Sequence, residues 1–359
     1  MNPTPFPTIV LVGPTAGGKT RLAIELARRL PGGGVCIAAD SMQVYRGMTI
    51  GTAKPTPDER SLAEHRLIDV AETEDDGFTV ERWLRMARAA IDEIRAAQRW
   101  PIVVGGTNLY VKALLDGLFE GPPADEALRS ALEPVSAADL RAELERVDPA
   151  SAARIHPADR RRTIRAIEVH RLTGRPLSAH QVQWDRGRLG AAIGPALIVG
   201  LEWPVEAINR RINDRVRAMI DAGLVEEVAE LHAAGRLGTQ ARAALGYAQI
   251  VDHLEGRCTL EEAIEATKIA SRRYAKQQRT WLKRFRAVPG VPSRFFPGGE
   301  EPETLAEAAV EWILGARSEA EDAGAPVSAE PGEGAPERAE ARGRAGESDG
   351  RAAASSNDG

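Results

Sequence analysis

Residues 13–20 read Gly13-Pro14-Thr15-Ala16-Gly17-Gly18-Lys19-Thr20, between a short apolar run, Ile9 to Val12, and a run of helical pattern, Arg21 to Leu30. A strand, a glycine-rich turn and a helix in that order make a phosphate-binding loop, in which backbone amides and a helix N-terminus point at an anion. Lys19 adds a positive charge, and Thr20 offers its hydroxyl to a magnesium ion. Such a loop commits the chain to a sheet whose strands end beside the ligand. It does not specify the bond that breaks, because a cradle for di- or triphosphate serves several chemistries.

The apolar pattern supplies the rest of that sheet. Residues 8 to 13 and Val35 to Ala39 read as buried strands, Leu67 to Val70 as a weaker one, Ile102 to Val104 as a fourth and Leu197 to Leu201 as a fifth. Helical patterns lie between them, notably Thr79 to Ala97, and another amphipathic helix follows the fifth at Asn209 to Ala234. The fold class expected is α/β: a P-loop NTPase-like parallel sheet covered by helices on both faces, with a mainly helical insertion domain. The expected organisation is a first part of the core over 1–120, the insertion over 121–190 and the remainder of the core over 191–316. From 317 to 359 the composition turns to Ala, Gly, Glu, Pro, Ser and Arg with few large apolar residues, which predicts a disordered acidic tail.

The net charge of −5 must be divided along the chain before it says anything about partners. Arg317 to Gly359 carries five arginines and ten acids, so the first 316 residues are neutral overall. Within them Arg154 to Arg188 holds nine arginines against three acids, and Lys268 to Arg286 holds eight cations and no acid. Two concentrated basic stretches on a neutral body suit a polyanion, although each alone also suits a solvated helix face. On a helix, Lys268, Arg272, Lys276, Arg279 and Lys283 fall in one sector, and Ala270, Tyr274, Trp281 and Phe285 on the opposite side. Two cysteines, Cys36 and Cys258, give neither a disulfide framework nor a CxxC knuckle and point to a reducing cytosol. No apolar run approaches the length of a membrane span, so no membrane partner and a cytoplasmic location are expected.

Asp40 closes the second strand beside the phosphate loop. A carboxylate there holds magnesium, takes a proton from a nucleophile, or caps the next turn; position alone leaves all three open. Ser41-Met42-Gln43-Val44-Tyr45 follows at the same rim and suits contacts to a base. The fourth strand runs into Gly105-Gly106-Thr107, where a hydrolysing P-loop protein usually places an aspartate for magnesium, and this weakens an ATPase reading. Arg211 and Arg215, four apart on one helix face, could clamp a leaving diphosphate or form a solvated edge.

Taken in order, GPTAGGKT at 13–20, ADSMQVYRGMTIGTAKP at 39–55, HRLIDV at 65–70, VVGGTNLYVKALLDGL at 103–118, DPASAARIHPADRRRTIRAIEV at 148–169, RRINDRVRAMIDAGLVEEV at 210–228, ALGYAQI at 244–250 and YAKQQRTWLKRF at 274–285 closely resemble the bacterial tRNA dimethylallyltransferase family. The resemblance runs from about residue 8 to 286. It implies transfer of a dimethylallyl group from dimethylallyl diphosphate to N6 of the adenosine 3′ of the anticodon, with Mg2+ as cofactor. The partners implied are the tRNA anticodon stem-loop and the prenyl diphosphate, and a monomer is expected. By the family pattern Asp40 is the general base, Thr107 positions the reacting groups and Arg215 meets the diphosphate. Residues 15–20 align with the diphosphate loop. Arg129 aligns with a tRNA contact, as do four stretches: Asp40, Ser41, Met42 and Gln43; Arg161, Arg162, Thr163, Ile164 and Arg165; residues 243–248 with Gly246 and Tyr247; and Lys276, Gln277, Gln278, Arg279, Thr280, Trp281, Leu282 and Lys283. Gln277 and Ala248 depart from the basic residues common at those positions.

The physical reading is compatible with that chemistry. An exocyclic amine on a purine is a poor nucleophile that gains from a nearby carboxylate, and a departing diphosphate needs fixed donors. A stacked base must be drawn out of its loop to be modified, which costs a few kcal/mol and asks for a grip on the surrounding phosphates. The alternatives are a P-loop kinase of a nucleoside or small metabolite, an adenylate isopentenyltransferase acting on free AMP or ADP, and a non-enzymatic RNA-binding module. The last leaves Asp40 and Thr107 unexplained.

Overall fold

The computed structural model describes residues 6–118, 121–181 and 193–322. In chain order the core opens with β1 (Thr8–Val12), α1 (Lys19–Arg29), β2 (Gly34–Ala38), α2 (Pro57–Leu62), β3 (His65–Arg66), α3 (Val80–Ala96), β4 (Trp100–Val104) and α4 (Asn108–Asp116). A helical segment follows: α5 (Glu126–Leu132), α6 (Ala137–Val147), α7 (Pro149–Arg154), α8 (Arg160–Thr173) and α9 (Leu177–His180). The chain then returns through β5 (Ala196–Glu202), α10 (Val205–Asp221), α11 (Leu224–Ala233), α12 (Thr239–Arg242), α13 (Tyr247–Leu254), α14 (Leu260–Arg286), β6 (Ser293–Pro297) and α15 (Pro302–Asp322).

The six strands are all parallel, in the order β3-β2-β4-β1-β5-β6. Successive side chains of a strand face opposite ways, and here both ways lead into apolar packing. Val10, Val35, Ile37, Val103 and Ile198 join one buried cluster, which takes in Trp83 and Ile91 of α3. Ile9, Leu11, Cys36, Ile102, Leu197 and Val199 join another with Leu22 and Leu26 of α1 and Leu305 and Ile313 of α15. A sheet covered on both faces needs apolar residues at consecutive positions, which is why these strands are legible as short unbroken runs. Trp83 also fastens α3 to the strand ends: its indole N–H donates to the Ala38 carbonyl at 2.8 Å and its ring stacks on Tyr110 at 4.5 Å. Helices α5 to α9 carry a core of their own, built on Leu132, Leu140, Leu144 and Ile167, in agreement with an insertion beside the sheet. The part of the expected insertion over 182–190 lies outside the described residues.

Five expectations need correction. The strand expected at Leu67–Val70 is replaced by β3 at His65–Arg66, because Leu67 and Asp69 take φ of 63° and 58°, which no strand accommodates. The amides of Asp69, Val70 and Ala71 donate instead to the carbonyls of Gln43 and Val44. The single helix expected over Asn209–Ala234 is two, α10 and α11, broken at Gly223 with φ 98°. The tail does not begin at 317: Arg317–Asp322 continue α15, with Arg317 over the Phe6 ring at 4.4 Å and paired to Glu321 at 2.8 Å. Residues 323–359 lie outside the described set. Tyr45 does not face the rim; it is fully buried, in contact with Phe78. On α14 the packed face runs through Ala263, Thr267, Ser271, Ala275, Gln278, Leu282 and Phe285, adjoining the cationic sector rather than opposing it.

Candidate active site

The loop after β1 folds as the sequence requires, and Lys19 opens α1 at its end. The Gly17 N–H donates to the Pro14 carbonyl at 3.1 Å, and the Lys19 amino group turns inward, donating to the carbonyls of Gly13 at 3.0 Å and Pro14 at 2.8 Å. The Lys19 pKa is lowered to about 7, chiefly by burial and then by neighbouring Arg215, with Asp40 opposing them. Arg215, on α10, is likewise lowered by burial against the pull of Asp40. Two cations and one carboxylate thus share the same ground at the carboxyl ends of the strands.

Asp40 begins the turn after β2, and its Oδ1 accepts from the Met42 N–H at 2.9 Å. Thr107 anchors the next residue: its Oγ1 accepts from the Ser41 N–H at 2.9 Å, while its own N–H donates to the Ala39 carbonyl at 3.1 Å. This cross-tie explains how residues far apart in sequence meet at one rim. The adjoining glycines are enforced by space. A Cβ at position 105 would stand 2.1 Å from the Ala39 carbonyl oxygen, and one at position 106 would stand 2.3 Å from Nε2 of Gln278.

A cavity of about 890 Å³ opens beside the loop, lined by Thr15 to Arg21, Asp40, Gln43, Thr49, Ile50, Thr52 to Pro57, Arg211 and Arg215 among others. A second, of about 250 Å³, is lined by Ser41, Met42, Ala243–Gly246, Thr267 and Ser271. Thr15, Asp40, Thr52, Arg215, Met219 and Tyr274 line both. Asp40 and Arg215 therefore stand at the junction of two compartments, one walled by the phosphate loop and one by smaller and less charged side chains. Arg211 is the outlying member of its pair: its Nε donates to the Ala16 carbonyl at 2.8 Å and its guanidinium lies 4.7 Å over the Trp203 ring, bracing the loop from outside.

The residues aligned with RNA contacts divide by burial. Lys276, Gln277, Thr280 and Lys283 are exposed on α14, as are Arg161 and Arg162 on α8, while Arg279 and Trp281 are half-buried. Thr163, Ile164, Leu282 and Tyr247 are buried and hold helices in place. The Tyr247 hydroxyl donates to Glu227 at 2.5 Å, and Gly246 lines the smaller cavity. The Gln43 amide is turned inward to the carbonyls of Thr52 and Ala53 at 3.1 and 3.3 Å. Arg129 and Arg165 are engaged by the fully buried Glu168, at 2.8 and 2.6 Å. Part of the basic character of the insertion is thus consumed internally, because a buried carboxylate has to be paired.

Sequence reasoning missed two polar anchors. Glu227 accepts from the amides of Thr49, Ile50 and Gly51 at 2.9, 2.8 and 3.2 Å, which fixes one wall of the larger cavity. Lys54, with a side chain 1% exposed, donates to Asp69 at 2.6 Å and to the Tyr45 carbonyl, tying the segment after β2 to the one after β3. The acidic residue in VEEV and the lysine in GTAKP were visible, but their partners lie at distant positions.

Among the described residues no cluster of three or more His, Cys, Asp or Glu side chains could hold a metal by itself, and no helix is long and apolar enough to cross a membrane.

The model of the IPP transferase family matches residues 43–285. The tRNA dimethylallyltransferase of Geobacillus kaustophilus is 49% identical over 279 residues, 76% of this chain and 86% of the relative. That of Halorhodospira halophila is 47% identical over 284 residues, 77% and 90% of the two chains. Among solved structures, the full-length tRNA isopentenylpyrophosphate transferase of Bacillus halodurans superposes with a TM-score of 0.63 at 36% identity, covering 88% of this chain and 98% of that one. A eukaryotic dimethylallyltransferase acting on tRNA gives 0.72 at 25% identity, covering 90% and 81%. With a family model matching residues 43–285 and relatives 47–49% identical over about three quarters of its length, the chain belongs to the IPP transferase family.

Proposed function

We propose that this protein transfers a dimethylallyl group from dimethylallyl diphosphate to N6 of the adenosine 3′-adjacent to the anticodon of tRNA, releasing diphosphate. The observation that carries this reading is the pair of cavities meeting at Asp40 and Arg215, within a family whose members prenylate tRNA. The diphosphate lies in the larger compartment against the loop amides, Lys19 and Arg215, and the extruded adenine enters the smaller one past Ser41, Met42 and Gly246. N6 attacks C1 of the prenyl group, the C1–O bond breaks, and its electron pair leaves with the diphosphate. Asp40 takes the proton that N6 loses, a contribution of about 10²–10⁴ in rate. Lys19, Arg215 and the loop amides stabilise the charge growing on the leaving group, which is the interaction that must strengthen in the transition state.

Mg2+ fits this donor set. Thr20 and Asp40 line the same cavity, and magnesium is commonly held by one or two protein oxygens together with substrate phosphates and water rather than by a protein cage. When bound it would neutralise charge on the diphosphate. Thr107 acts as a positioning residue, through the Ser41 amide beside Asp40. The exposed cations Lys276 and Lys283 on α14, with Arg161 and Arg162 on α8, grip phosphates of the stem-loop and offset the cost of extracting the base. The protein works as a monomer in the cytoplasm.

The test is incubation with labelled dimethylallyl diphosphate and unmodified tRNA, followed by mapping of the labelled nucleotide. Label on the adenosine next to the anticodon is expected. Cleavage of a nucleoside triphosphate with no carbon–nitrogen bond made to RNA would overturn the reading.

A further inference from the structure

One buried side chain of the basic helix is hydrogen-bonded to both loops that frame the reaction centre. Gln278 of α14 is 1% exposed. Its Oε1 accepts from the Thr15 N–H at 2.6 Å, and its Nε2 donates to the Gly106 carbonyl at 3.0 Å. The same carbonyl accepts from the Tyr274 hydroxyl, one turn earlier on the helix, at 2.7 Å. Thr15 belongs to the phosphate loop, and Gly106 precedes Thr107, whose hydroxyl holds the amide next to Asp40. Lys276 and Lys283 stand exposed within two turns of Gln278 on the same helix.

We propose that Gln278 is a positioning residue that couples occupancy of the cationic face of α14 by RNA to the geometry of the phosphate loop. The proposal rests on the reading of α14 as an RNA grip. A helix moves as a stiff rod over two turns, so a phosphate that shifts Lys276 or Lys283 carries Gln278 with it. An amide presents one acceptor and one donor at fixed separation, and here each is used on a different loop, so one displacement is felt at both. In the other direction, an anion that reorients the Thr15 amide changes what Gln278 accepts and so favours one placement of the helix. Linkage then requires that diphosphate tighten RNA binding by the same factor as RNA tightens diphosphate binding. A side chain of similar size without the amide fills the space and transmits nothing.

The test measures binding of an unmodified anticodon stem-loop to the full-length protein by fluorescence anisotropy, with and without saturating inorganic diphosphate and magnesium. In the wild type, diphosphate should tighten RNA binding by about fivefold or more, the lower end of ordinary coupling between sites. In Gln278→Met that factor should fall to about one. The double variant Lys276→Ala, Lys283→Ala should bind RNA more weakly and lose the factor as well, because the side chains through which RNA moves the helix are gone. If the double variant binds RNA normally, the assignment of α14 as the grip fails. If it binds weakly while Gln278→Met retains the wild-type factor, the coupling fails and the assignment stands. A wild-type factor of one also ends the proposal. Should Gln278→Met not fold, hydrogen exchange of the wild type decides: diphosphate without RNA should alter amide protection over 276–283, and unchanged protection overturns the coupling.

Discussion

Asp40→Asn removes the proton acceptor and keeps the local fold. The amide retains an oxygen for the Met42 N–H now held at 2.9 Å, so the turn after β2 keeps its shape. What is lost is the negative charge, with two calculable consequences. First, N6 has no carboxylate to receive its proton, and the loss of general-base catalysis is about 10²–10⁴ in rate, or about 3–5 kcal/mol of barrier. Second, Asp40 is the one influence that raises Lys19 against burial and Arg215, so the Lys19 pKa falls below its present value of about 7. The assay is single-turnover prenyl transfer with enzyme in excess over tRNA and the donor saturating, run beside direct tRNA binding. Chemistry should slow by about 10²–10⁴ while the Kd for tRNA stays within about threefold. A loss below tenfold at saturation, or one that appears wholly as weakened tRNA binding, would refute the assignment of Asp40 as base.

Three further outcomes follow from the same geometry. Lys276→Ala with Lys283→Ala should raise the KM for tRNA and flatten the slope of log K against log salt by about 1.5, as expected for two phosphate contacts; an unchanged slope removes α14 from the interface. Lys19 has a folded pKa of about 7, and a bound diphosphate favours its charged form, so binding should take up a proton above pH 7 and weaken as pH rises. Calorimetry in two buffers of different ionisation enthalpy reads that uptake, and Lys19→Gln should abolish it. Glu168 is fully buried; burial raises its pKa, but Arg129, Arg165 and the Asp125 amide outweigh this and hold it below the usual range. Its stabilisation is therefore present above about pH 4.3 and lost on acidification through the lower folded pKa. Glu168→Gln should cost about 2 kcal/mol in urea unfolding, a figure reduced because both guanidiniums keep some solvent.

The parts of the fold that were legible are those whose physics is local. Strands buried on both faces must be unbroken apolar runs, and β1, β2, β4 and β5 are; a phosphate turn must spend glycines at fixed positions, and 13–20 does. Where the decisive contact is distant, the sequence is silent. β6 reads Ser293-Arg294-Phe295-Phe296-Pro297, a partly exposed edge strand ending in proline, with nothing to mark it until β5 pairs with it. Gln278 looks like any polar residue in a basic helix, because its partner Thr15 lies 263 positions away. Of the cationic sector of α14, Lys276 and Lys283 are exposed while Lys268, Arg272 and Arg279 are half-buried. The aromatic pattern of Tyr274 and Trp281 suggests an interior on one side, whereas small Ser271 and Ala275 let the helix approach on another.

The glycine pair after β4 stands where a hydrolysing P-loop protein usually places an aspartate, and the structure gives that absence a cause. A Cβ at position 105 would strike the Ala39 carbonyl, whatever α14 does, and one at position 106 the amide of Gln278 on α14, so no acidic side chain can stand at either place. The strand end that would hold a metal-binding carboxylate in a phosphoryl-transfer enzyme is occupied instead by the side chains of Tyr274 and Gln278, both bonded to the Gly106 carbonyl. At position 106 the basic helix thus stands where such a carboxylate would be. A phosphate cradle altered in this way keeps its donors for a leaving diphosphate and gains, through the same helix, a means of holding RNA beside it.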